Sequence, residues 1–142
     1  MEDESGTLVD WAKFARMRAQ LGADFIRILG YFREDGEKSV ERIEAAMHRR
    51  DAAALIIPAH TLKTEARQFG ADPLGELSEE IEIAGRRAVE SRLFPDQILP
   101  DVARLRPLYV RTMEMFEQET NPLVARRPSQ NRAASNQEFG RL

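Results

Sequence analysis

The chain has 142 residues, enough for one ordinary domain around a single core. Charged residues make up 32% and apolar residues 42%, the balance of a folded, soluble chain, and a net charge of −3 argues against a general nucleic-acid binder. With no cysteine and two histidines, disulfide scaffolds, thiolate metal sites and cysteine nucleophiles are excluded, and ligands for a transition metal are scarce.

The apolar pattern has a helical period throughout, and no alternating strand of useful length occurs. A first helix is predicted from Trp11 to Leu21, with Asp10 as its cap, Gly22 as its left-handed stop, and Trp11, Phe14, Ala15 and Leu21 as its buried stripe. A second runs from about Asp24 to Arg50 on Phe25, Ile28, Leu29, Phe32, Val40, Ile43 and Met47, with a bend expected near Gly36. The third starts after Asp51 and ends at Gly70, and Pro58 is expected to bend it. Asp72-Pro73 reads as cap and first residue of a fourth helix, whose core stripe is Leu74, Leu77, Ile81, Ala84 and Ala88. A fifth follows Pro95 or Pro100, offers Val102, Leu105, Tyr109 and Phe116 to the core, and should kink at Pro107.

From about Thr120 the periodicity stops, and a tail rich in Arg, Asn, Ser and Gln follows. The predicted organisation is a helical bundle over residues 8–118 and a flexible tail over 119–142. Short links between long helices favour antiparallel neighbours. The fold class is therefore all-α: an antiparallel up-down four-helix bundle with a short additional N-terminal helix. No apolar run reaches the roughly 18 residues of a membrane span. The opening segment Met1-Glu2-Asp3-Glu4-Ser5-Gly6 is the opposite of a secretory signal, so a cytoplasmic location is expected.

The chemistry concentrates in Ala59-His60-Thr61-Leu62-Lys63-Thr64-Glu65-Ala66-Arg67-Gln68-Phe69-Gly70. Leu55, Ala59, Leu62, Ala66 and Phe69 form the apolar stripe. At about 100° per residue, His60 falls roughly 140° from its middle and should face solvent. Lys63, Thr64 and Arg67 follow at three, four and seven residues and share its face. An exposed imidazole beside two cations and a hydroxyl is a seat for a phosphoryl group. Ala71 is the midpoint of the next turn; His60 precedes it by eleven residues and Glu82 follows it by eleven. An equal rise on both helices puts the two side chains at similar heights. A carboxylate there can accept from Nδ1–H and leave Nε2 to attack. Glu79, one turn away, is the substitute, and Glu82 can equally pair with Arg86 at i+4. Ile56 and Ile57 fall off the core stripe, with Ile56 one turn before His60; exposed apolar residues beside a charged centre suit protein docking, unless the first helix covers them.

His60-Thr61-Leu62-Lys63, with Gly70 ten residues after the histidine, resembles the signature of histidine-containing phosphotransfer domains, and helix order and lengths extend the likeness over about residues 8 to 118. That signature usually has glycine directly after the lysine, where this chain has Thr64. The resemblance implies that His60 accepts phosphate, that Lys63 stabilises it and that the Glu82 position hydrogen-bonds the imidazole. Thr64, Arg67 and Ile56 are the expected binding residues around it.

The expected function is that of a phosphorelay intermediate. His60 takes a phosphoryl group from a receiver aspartate and passes it to another receiver. The alternative is a non-catalytic helical adaptor in which His60 is incidental; uptake of label from phosphorylated receivers separates the two. The expected partners are response-regulator receiver domains and a hybrid histidine kinase, with no nucleic acid and no membrane, and the chain is expected to be a monomer. No cofactor or metal of its own is expected; Mg²⁺ belongs to the receiver. No Gly-rich nucleotide loop is present, so self-phosphorylation from ATP is not expected.

Overall fold

A computed structural model describes residues 8–121 and residue 123. Five α-helices follow one another: α1 Trp11–Leu21, α2 Phe25–Arg49, α3 Ala53–Gln68, α4 Asp72–Ser91 and α5 Leu99–Thr120. Short 3₁₀ turns at Gly22–Asp24 and Asp96–Ile98 precede α2 and α5. The fold is all-α, with four helices packed as a bundle and α1 as the additional short helix. No helix among the described residues is long and apolar enough to cross a membrane.

The chain divides into two contact units, Met1–Thr112 and Met113–Leu142. In the second unit, α5 ends in its own hydrogen bonds: Thr120 Oγ1 donates to the Phe116 carbonyl at 2.8 Å, and Asn121 N to that of Glu117 at 2.9 Å. The helix thus runs two residues past the expected bundle boundary at 118. Apart from residues 119–121 and 123, the expected flexible tail lies outside the described residues.

Local signals explain most helix ends in the first unit. Asp10 accepts from the amides of Ala12 (3.0 Å) and Lys13 (3.2 Å), satisfying two orphan donors of α1. The Asp51 carboxylate accepts from Ala54 N at 3.1 Å and opens α3 in the same way. Asp72 departs from expectation. It is already the first residue of α4, with Pro73 following, and its carboxylate forms an ion pair with Lys13 at 2.8 Å instead of capping. α2 continues through Gly36, α3 through Pro58 and α5 through Pro107, so none of these residues ends a helix.

The core holds Phe14, Phe25, Leu29, Phe32, Val40, Ile43, Leu55, Leu62, Leu74, Ile81 and Leu105, all nearly fully buried. One end is aromatic: Phe14 meets Phe25 edge-on at 5.2 Å, and Phe69 stacks on Phe32 at 5.4 Å. Trp11 is only half-buried and Ala15 is exposed, because α1 offers the core little more than the Phe14 ring. Ala84 is half-buried, and its place in the α4 core is taken by Gly85 and Glu82.

The α3–α4 turn is locked from outside. Gly70 has φ 82°, a conformation glycine adopts without penalty, and a Cβ there would fall 2.5 Å from the Asp10 carbonyl oxygen. Asp10 N donates to the Gly70 carbonyl at 2.8 Å. This turn sets the register of α3 against α4, and the register sets the site.

Candidate functional site

On α3, Leu55, Ala59, Leu62 and Ala66 are wholly buried, while the His60 side chain stands off that stripe, 54% exposed. The helix period therefore presents the imidazole outward, and the Gly70 turn brings α4 back alongside at the same height. His60 Nδ1 lies 2.9 Å from Glu82 Oε2. Glu82 is ionised at neutral pH and can only accept, so the Nδ1 hydrogen is assigned to this bond. Nε2 carries no hydrogen bond among the described residues.

Glu82 is itself buried, with only 6% of its side chain exposed. Burial pushes its carboxyl up, but contacts with Lys63, Arg86 and His60 outweigh this and bring it down to about 2. Lys63 Nζ pairs with Oε1 at 2.8 Å. Arg86 donates to Oε2 from Nη2 at 2.8 Å and from Nε at 3.2 Å. The two sequence readings of Glu82, partner of His60 and partner of Arg86, hold together. Lys63, expected on the open face, instead lies half-buried with its ammonium turned to Glu82 (18% of its side chain is exposed).

The other predicted residues are spread around this centre. Thr64 is exposed and its hydroxyl donates to the His60 carbonyl at 3.1 Å, so that proton is used within α3. Arg67 reaches across to α4 and donates to Glu79 Oε1 at 2.7 Å. Glu79, the substitute partner for His60, is thus held by Arg67, which also lowers its pKa. Of the two readings left open for Ile56, exposed or covered, the structure favours the second. The side chain is half-buried against Gly85, where a Cβ would fall 3.1 Å from Ile56 Cγ1, because the bare glycine lets α4 approach α3 closely. Ile57 is the exposed one, at 73%.

Sequence reasoning missed the glycines that make this close packing. A Cβ at Gly75 would meet Arg67 Cγ at 2.8 Å, and Gly85 abuts Ile56 and the Ala52 carbonyl. Two glycines inside α4, each disfavoured by about 1 kcal/mol against alanine, were the available signal. The sequence shows Arg86 only as the i+4 neighbour of Glu82; nothing in spacing alone shows that it shares an oxygen with the imidazole.

The Hpt domain family matches residues 27–114. Among solved structures, the fold is similar to that of histidine-containing phosphotransfer protein B (HptB) from Pseudomonas aeruginosa PAO1, with a TM-score of 0.69 and 22% identity over 79% of this chain and 93% of that one. No match was found among curated proteins. Domains of this family interact with receiver domains and kinases. The matched segment spans most of α2, all of α3 and α4 and most of α5 and contains His60, Lys63 and Glu82, and on that match the chain belongs to the Hpt domain family, the phosphotransfer domains of phosphorelay signalling.

Proposed function

We propose that His60 is the phosphoryl acceptor, taking the group from the aspartyl phosphate of one receiver domain and passing it to the aspartate of another. The observation that carries this is the exposed imidazole whose Nδ1 is held by the buried Glu82 carboxylate while Nε2 has no partner among the described residues. With Nδ1–H donated, the Nε2 lone pair is the available nucleophile. It attacks phosphorus in line as the bond to the receiver aspartate breaks, through a loose transition state with charge on the equatorial oxygens. Lys63, one turn away, supplies positive charge to that phosphoryl group on release from Glu82. Thr64, Arg67 and Ile56, with the exposed Ile57, border the surface the receiver meets. The receiver brings Mg²⁺ and its own acidic site; this chain contributes nucleophile, orientation and charge. A hybrid histidine kinase upstream, a cytoplasmic location and a monomeric state complete the reading.

The test is direct. The full chain and its His60→Gln variant are incubated with a panel of labelled phospho-receivers, and label on this chain is followed. Wild type should become labelled and the variant should not. Label on the variant, or none on wild type with any receiver from the same cell, would sink the proposal.

A further inference from the structure

Oε2 of Glu82 serves two groups at once: His60 Nδ1 at 2.9 Å and the Arg86 guanidinium at 2.8 and 3.2 Å. Oε1 belongs to Lys63. The charges around the ring are therefore Lys63 from α3, Glu82 and Arg86 from α4, and the neighbouring Arg67–Glu79 pair. Arg86 is 57% exposed, so it is no part of the core, and its two donors converge on the oxygen the imidazole uses.

We infer that Arg86 is a positioning residue that acts through Glu82 to set how stable the phosphorylated His60 is. This rests on reading His60 as the acceptor. When Nε2 attacks, its lone pair forms the N–P bond, and the P–O pair departs with the receiver aspartate. The hydrogen on Nδ1 stays, so the ring gains one positive charge. Glu82 Oε2 faces that charge directly and stabilises it. A carboxylate left alone at that oxygen would stabilise it most and hold the phosphoryl group on this chain. Arg86 draws off part of that negative charge and fixes the oxygen in place. The phosphorylated ring is held less tightly, and the group can leave for the next receiver as readily as it arrived.

A role in merely bracing Glu82 makes the opposite prediction. Loosening Glu82 would weaken its bond to the ring and lower the phosphorylated fraction. The two are separated by the equilibrium ratio of phospho-His60 to phospho-aspartate, measured with a receiver that labels wild type. The proteins are the full chain and its Arg86→Gln, Arg86→Lys, Glu82→Gln and Glu82→Gln/Arg86→Gln variants. Arg86→Gln should raise the ratio about fivefold. Arg86→Lys, which keeps the charge, should stay near wild type. In the Glu82→Gln background, Arg86→Gln should leave the ratio nearly unchanged, because the charge it acts through is gone. A ratio unchanged or lowered by Arg86→Gln, or an equal rise in the Glu82→Gln background, would overturn the inference while leaving His60 as acceptor. A wild type that exchanges with no receiver would overturn both.

Discussion

The Tyr109 ring occupies the space that a side chain at Gly36 would need: a Cβ there falls 2.6 Å from Tyr109 Cε1. The ring cannot easily yield, because its hydroxyl donates to the Arg33 carbonyl at 2.5 Å. Gly36→Ala should therefore destabilise the chain, overpacking of about 1–3 kcal/mol outweighing the ~1 kcal/mol gain in helix propensity. Gly30, on the same helix, has nothing within 4 Å of its Cβ direction. Gly30→Ala should stabilise by up to ~1 kcal/mol. Urea midpoints for the two variants should move in opposite directions.

Glu65 gives the stability a pH dependence. Burial, and then the neighbouring Asp35, push its carboxyl up to about 7 from an ordinary 4.5. The folded state thus holds a proton that the unfolded state releases. This favours folding below about 4.5, and the benefit is lost as pH rises through about 7. Glu82 has the opposite sign: its depressed carboxyl, at about 2, stabilises above the ordinary 4.5 and is lost as acid is added. Glu65→Gln should remove the decline between pH 5 and 8, on the order of 1–2 kcal/mol. Thermal midpoints of the two proteins across that range should converge at low pH and separate at high pH.

How far the sequence could be read follows from the range of each interaction. Caps and periods are local, so Asp10, Asp51, the buried stripe of α3 and most of that of α2 were legible, Ile28 and Met47 being only half-buried. The height match of His60 and Glu82 was legible because one short turn fixes it by counting. The direction of Lys63, the cover over Ile56 and the hold of Arg67 on Glu79 depend on how closely α4 approaches α3. Glycine contacts across helices set that distance, and no one-dimensional period encodes it.

Arg50 and Arg92 both close helices at positive φ, 57° and 62°. A side chain in that conformation costs roughly 1 kcal/mol relative to glycine. Arg50 recovers this by pairing with Asp96 and by lying 4.6 Å over the Phe94 ring. Arg92 is exposed and makes no such contact among the described residues. Arg92→Gly should raise stability by about 0.5–1 kcal/mol, and Arg50→Gly should gain less or lose. Chemical denaturation of the two variants checks the contrast.

The site itself is tested by three substitutions whose effects differ in kind. His60→Gln should leave folding nearly intact, since the side chain is more than half exposed and an amide N–H can still serve Glu82 Oε2. It should abolish phosphoryl uptake, because no nucleophilic nitrogen remains. Lys63→Ala should slow transfer by roughly ten- to a hundredfold without abolishing it. It should also cost about 1–2 kcal/mol of stability, because it strips Oε1 of a buried carboxylate of its cation. His48→Gln should change neither, since His48 is exposed at the end of α2, on the preceding helix. Rates of label uptake from one phospho-receiver, with denaturation midpoints on the same samples, distinguish the three. The label should be acid-labile and base-stable, as a phosphoramidate is. Equal slowing by Lys63→Ala and His48→Gln would mean that surface charge in general, and not the ammonium beside His60, assists the transfer.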